Sequence, residues 1–201
     1  MSNPRNAKRS AAKNSALGIR HSAISPARWA GIRLFAMDVD GVLTDGRVLV
    51  SSAGAEAKFF SILDGLGLAT LRKTDVAIAW ISGRPSPATT TRAQELGITR
   101  VVQGRIDKIT ALQELAAELG LAAAQCAYMG DDVIDVPAME WAGIGIAPPG
   151  AMPSVLAAAD VVTTREAGHG AVREICDALL ASRTPEKTSR SQSPSARSKS
   201  R

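Results

Sequence analysis

Short apolar runs recur along the middle of the chain, separated by stretches whose apolar positions repeat at helical spacing. The runs predict strands over residues 33–38, 76–81, 100–103, 125–129, 143–146 and 160–163, and Leu34, Phe35, Ala36 and Met37 in the first suit a strand covered on both faces of a sheet. Between them "GLGLATLRKT", "PSPATTTRAQELG", "KITALQELAAELG", "DVPAMEWAG" and "AMPSVLAAA" predict helices, several closed by a glycine that suits a C-cap. In a last helix, "GAVREICDALLAS", Val172, Ile175, Cys176, Leu179 and Leu180 fall on one face, and core packing accounts for them. Strands alternating with helices predict an α/β fold built on a mainly parallel sheet with helices on both faces. Ligands of such sheets bind beyond the carboxyl ends of the strands. One segment breaks the rhythm. "GRVLVSSAGAEAKFFSI" holds two extended runs around "SSAGAE" and predicts a β-hairpin projecting after the first strand, as a lid or a contact surface.

With 201 residues the chain is long enough for one full core without disulfides. Cys126 and Cys176 lie in apolar settings and read as ordinary buried thiols of a reducing compartment, neither an activated nucleophile. No apolar stretch approaches the roughly 20 residues that span a bilayer, so no membrane insertion is expected and a cytoplasmic location is. The net charge of +5 is unevenly placed. Residues 1–30 carry six Lys/Arg and no acid, and residues 182–201 carry six against one. Both segments read as loose basic extensions. The remaining residues 31–181 hold twelve basic and eighteen acidic residues, so the expected folded domain is acidic. An acidic body argues against a nucleic-acid-binding protein, and contact with RNA or an anionic surface through the termini is the minor alternative.

The first strand ends in acid: "LFAMDVDGVLTDG". Asp38 and Asp40 alternate out of an extended segment to the same side, and Gly41 permits a sharp departure. A second cluster, "YMGDDVIDVP", follows the strand at 125–129: Gly130 opens the turn, Asp131 and Asp132 sit at the strand end, and Asp135 starts a helix. Two carboxylate groups at one sheet edge repel unless a cation lies between them, and Mg²⁺ suits an all-oxygen site. With only two histidines and no Cys/His spacing, zinc does not. "ISGR" supplies Ser82, the amides around Gly83, and Arg84, while "VVQGRID" leads to Lys108 at a helix start, where the helix dipole does not favour a cation. Hydroxyl, amides and lysine aimed at one point suit a phosphoryl group. The chemistry expected is covalent: Asp38 attacks phosphorus, while Asp40 protonates the leaving alcohol and then activates water. Mg²⁺ would bridge Asp38, Asp131 and a phosphate oxygen. Asp45 reads as the turn into the hairpin.

Together "DVDGVLTDG", "ISGR", Lys108 and "GDDVID" resemble the haloacid dehalogenase superfamily, over about residues 31–181. The resemblance implies a Rossmann-like fold with Asp38 as nucleophile, Asp40 as general acid/base and carbonyl ligand of Mg²⁺, and Ser82 and Lys108 on phosphate. It also implies Asp131 as the acidic metal ligand, with Asp132 and Asp135 supporting its loop. "DGLGL", "VVQGRIDK", "YMGDDVIDVPAM", "ADVVTT" and "GAVREICDALL" narrow the likeness to capless members that use a hairpin in place of a large cap and assemble as homotetramers. These act on 3-deoxy-D-manno-octulosonate 8-phosphate in lipopolysaccharide synthesis. The alternatives are another sugar-acid phosphate as substrate, or a noncatalytic oligomeric scaffold. Two stretches depart from that group: Leu63 stands where it has Arg, and "AGHG" places Ala167 and His169 within its "GGRG". His169 reads equally as a loop residue or as a contact to substrate or a neighbouring subunit.

Overall fold

The computed structural model describes residues 24–183, so most of the two basic extensions, at 1–23 and 184–201, lies outside the described residues. The folded unit starts earlier than the expected residue 31. Helix α1 (Pro26–Gly31) is capped by Ser25 and opened by Pro26, the pairing that favours a helix start. From it Arg28 donates to the Gly143 carbonyl at 2.6 Å.

Strands β1 (Leu34–Met37), β4 (Ala77–Ser82), β5 (Arg100–Gln103), β6 (Cys126–Met129), β7 (Ile144–Ala147) and β8 (Val161–Val162) form one sheet. Its order is β5-β4-β1-β6-β7-β8, and every neighbouring pair is parallel. Each of the six expected strands is present with its ends within one residue of expectation, and β5 matches it at both ends. The alternation within β1 divides the core: Phe35 and Met37 pack with Leu68, Trp80 and Ile175, while Leu34 and Ala36 pack with Ile81, Leu112, Tyr128 and Met139. Helices α2 (Ile62–Leu71), α3 (Pro87–Leu96) and α7 (Ala171–Ala181) cover the first face. Helices α4 (Lys108–Glu118), α5 (Val136–Trp141) and α6 (Pro153–Ala158) cover the second.

The expected hairpin is β2 (Leu49–Val50) and β3 (Glu56–Ala57), antiparallel, with Leu49 opposite Ala57 and Val50 opposite Glu56. Beyond β3 the extended alternation continues. Lys58 and Phe60 turn inward while Ala57 and Phe59 face out, and Phe60 stacks on Trp80 with ring centroids 6.4 Å apart. Met37 is level with Trp80 on β4 and with Met129 on β6. The loops leaving these three strands therefore meet at the carboxyl edge.

Candidate active site

The loop after β1 is folded on itself by its own backbone. Val39 O accepts from the amides of Val42, Leu43 and Thr44. Buried Thr44 closes the turn, its Oγ1 accepting from Gly41 N and Gly46 N at 3.3 Å each. Asp38 N donates to Met129 O at 2.9 Å, extending the β1–β6 pairing by one residue. The Asp38 side chain is thereby held in the sheet edge, with Oδ1 accepting from Val39 N at 2.6 Å.

Lys108 reaches the same oxygen from the start of α4. Its Nζ lies 2.8 Å from Asp38 Oδ1 and 3.6 Å from Asp135 Oδ1, and donates to Ile81 O at 2.6 Å. The side chain is fully enclosed, so the pairing offsets the cost of taking an ammonium out of water. Ser82, one residue beyond that carbonyl, is buried, and its hydroxyl ties the "ISGR" turn by donating to Arg84 O at 2.9 Å and accepting from Arg84 N at 3.2 Å.

From β6, Asp135 organises the second acidic loop. Its Oδ1 accepts from the Tyr128 hydroxyl at 2.8 Å, and its Oδ2 from the amides of Asp131 and Asp132 at 3.2 and 3.1 Å. Both oxygens are thus occupied within the protein. Asp131 differs, for its buried Oδ1 has no hydrogen-bond partner. Two glycines permit this crowding: a Cβ on Gly130 would stand 2.3 Å from Asp135 Cβ, and one on Gly41 would stand 2.0 Å from Asp131 Oδ2.

Carboxylate oxygens of Asp38, Asp131 and Asp135 lie within 4.8 Å of one another. Burial first, then the Asp135 charge, pushes the Asp38 carboxyl up to about 6 against the pull of Lys108. Burial, then Asp38, pushes Asp131 up to about 8. Protonation is one remedy for such a cluster, and a divalent cation is the other. The unpartnered Asp131 oxygen and the all-oxygen donor set fit a hard cation such as Mg²⁺.

The structure thus brings Asp38, Lys108, Asp131 and Asp135 together at one strand edge, with Ser82 and the Gly83 turn beside them. Asp40 stands at the mouth, its carboxylate paired with Lys58 at 2.7 Å. Other expected residues point elsewhere. Asp132 is exposed and accepts from Val133 N at 2.6 Å. Arg84 pairs with Glu56 of the hairpin, so its cation is spent on seating that element. His169 is exposed on the loop before α7 and donates its amide to Glu166 O at 3.0 Å. Asp45 accepts from Arg47 N at 3.1 Å, a turn bond at the hairpin entrance. Thr44, Lys58 and Tyr128 are parts of the site that the sequence reading passed over. Lys58 had a legible signal in the inward positions of "EAKFF", and Tyr128 in a hydroxyl on an otherwise apolar strand, which needs a partner when buried.

A family model described as haloacid dehalogenase-like hydrolase matches residues 55–175. The 3-deoxy-D-manno-octulosonate 8-phosphate phosphatase of Yersinia pestis is 44% identical over 153 residues, covering 76% of this chain and 82% of that protein. A crystal structure of the Moraxella catarrhalis phosphatase of the same name, in complex with magnesium ion, phosphate ion and a KDO molecule, superposes with a TM-score of 0.77 at 44% identity, covering 78% of this chain and 90% of that one. The Yersinia pestis crystal structure superposes with a TM-score of 0.76 at 43% identity, covering 78% and 85%.

Proposed function

The chain belongs to the haloacid dehalogenase-like hydrolases and is a phosphomonoesterase, and on that premise we propose that it hydrolyses 3-deoxy-D-manno-octulosonate 8-phosphate through an aspartyl-phosphate on Asp38. The observation that carries this reading is the buried Lys108–Asp38 pair, 2.8 Å apart, at the level edge of β1, β4 and β6. A carboxylate so fixed is a nucleophile whose approach to phosphorus is set before substrate arrives.

Asp38 attacks phosphorus, the bond from phosphorus to the sugar oxygen breaks, and the leaving oxygen takes a proton from Asp40. Asp40 then removes a proton from water, the hydroxyl oxygen attacks phosphorus, and the bond to Asp38 breaks to release phosphate and restore both carboxyl groups. Lys108 opposes the negative charge on Asp38 and the phosphoryl oxygens throughout. The amides of the Gly83 turn hold those oxygens, joined by the Ser82 hydroxyl when it rotates from Arg84 O to the phosphoryl group. Asp135 and Tyr128 fix the loop that carries Asp131. Asp38, Asp131 and the Asp40 carbonyl would hold Mg²⁺, which supplies Lewis-acid stabilisation of the phosphoryl charge. The magnesium ion in the Moraxella catarrhalis relative supports Mg²⁺ as that cation.

The proposed place of the reaction is lipopolysaccharide sugar synthesis in the cytoplasm, a setting that suits two buried free thiols. Among the described residues no helix is long and apolar enough to cross a membrane. We also propose a homotetramer. Leu49 and Val50 of the hairpin, with Phe59 and Ile62, the last two 78% and 82% exposed, form an apolar surface suited to contact between copies.

A panel of sugar-acid phosphates assayed with Mg²⁺ tests the substrate. The expected result is the highest kcat/KM for 3-deoxy-D-manno-octulosonate 8-phosphate. A higher value for another eight- or nine-carbon acid would transfer the assignment to that compound and give Leu63 and His169 the explanation.

A further inference from the structure

Lys58 has no place in the mechanism above, yet its surroundings are as specific as those of Lys108. Its side chain is fully enclosed, with Nζ 2.7 Å from Asp40 Oδ1. The same ammonium donates at 2.9 Å to Asp40 Oδ2 and at 3.3 Å to Thr89 Oγ1, a buried hydroxyl in the first turn of α3. A buried ammonium is costly unless its partners are fixed. Two carboxylate oxygens and a hydroxyl fix this one, and it fixes them. The two lysines divide the acidic strand end between them, Lys108 on Asp38 and Lys58 on Asp40.

Lys58 also belongs to the hairpin. It follows β3 directly, and one residue pair earlier Glu56 makes a second polar tether, to Arg84 and to the Ser86 hydroxyl. The Glu56 tether seats the hairpin without touching Asp40, whereas the Lys58 tether seats it on the carboxyl group itself. We propose that Lys58 is a positioning residue that aims the Asp40 carboxyl at the leaving oxygen, so that docking the hairpin and aligning the proton carrier are one event. The inference rests on Asp40 being that proton carrier, as assigned above.

Removing a merely structural contact lowers turnover of every substrate by a similar factor. Removing the aim of a general acid hurts most where the leaving group most needs a proton. The test is therefore kcat/KM for a series of substituted phenyl phosphates, plotted against the acidity of the phenol released, for the wild type, K58M, E56A and D40N. This parameter covers binding and transfer to Asp38, the step in which Asp40 gives its proton. K58M is expected to lose about tenfold to a hundredfold on phenyl phosphate and about threefold or less on p-nitrophenyl phosphate, giving a steeper line. D40N should steepen it further, and E56A should lower all points together. K58Q, whose amide still donates to Asp40, carries the same measurement if K58M does not fold, with a slope between those of wild type and D40N. A Lys58 variant line parallel to the wild type, beside a steep D40N line, overturns the inference alone. A D40N line with the wild-type slope overturns the assignment of Asp40 and this inference with it.

Discussion

Gly41 has a φ of +88°, a region that costs other residues strain, and a Cβ there would stand 2.0 Å from Asp131 Oδ2. The two acidic loops approach as closely as they do because that position is bare. G41A is expected to displace Asp131 from Asp38 and to lower kcat by about a hundredfold, the cost of roughly an ångström of misplacement; saturating Mg²⁺ in the assay should not restore it. Tyr128 makes a different kind of contribution. Burial, and then the charge of Asp135, hold its hydroxyl well above the usual range, so it stays a donor to Asp135. Y128F leaves Asp135 Oδ1 short of its closest partner and should lower unfolding free energy by about 1–3 kcal/mol in urea titrations. Asp38, Asp40 and Asp131 were legible in the sequence because acids after apolar runs contradict burial unless something compensates them. Tyr128 and Thr44 were not, because a buried tyrosine or threonine is ordinary until its partner's position is known.

Asp64, in the first turn of α2, joins two elements. It is 1% exposed and accepts from Arg173 N at 2.7 Å and Gly170 N at 3.2 Å, so a side chain of α2 caps the start of α7. Burial raises its pKa while those amides oppose the rise. Two residues before Gly170, Gly168 N donates to Val42 O at 3.2 Å, tying the same loop to the turn that follows Asp38. D64A should cost about 2–4 kcal/mol in chemical denaturation, because it strands a buried and a part-buried amide at once. The elements themselves were largely readable from the sequence, since apolar runs bounded by glycine and polar residues have few alternatives. Their ends moved by a residue where ladder pairing, absent from any local pattern, sets the limit. The α1 helix shows the opposite error. Its basic, alanine-rich setting read as loose chain, while Ser25 and Pro26 already carried a helix-start signal.

For the molecule as a whole, the acidic cluster couples folding to pH and to metal. Asp38 and Asp131 are raised to about 6 and about 8 from an ordinary 3.8. Without a cation the folded chain therefore binds more protons than the unfolded chain between about pH 4 and 8, and stability falls as pH rises through that window. Thermal unfolding of EDTA-treated protein should show a lower midpoint at pH 8 than at pH 5, and Mg²⁺ should raise the midpoint most at pH 8. A midpoint that climbs with pH in EDTA would contradict the electrostatic reading. The proposed homotetramer predicts a single tetrameric species in light scattering, and the exposed hairpin and α2 residues predict that I62D shifts it toward smaller forms. The central claim is that Asp38 carries the phosphoryl group. It is tested most directly by phosphate release from 3-deoxy-D-manno-octulosonate 8-phosphate, with Mg²⁺, by the wild type and by D38N of unchanged fold. The account predicts rapid release by the wild type and a loss of about a thousandfold or more in D38N. Release by D38N at the wild-type rate would contradict it.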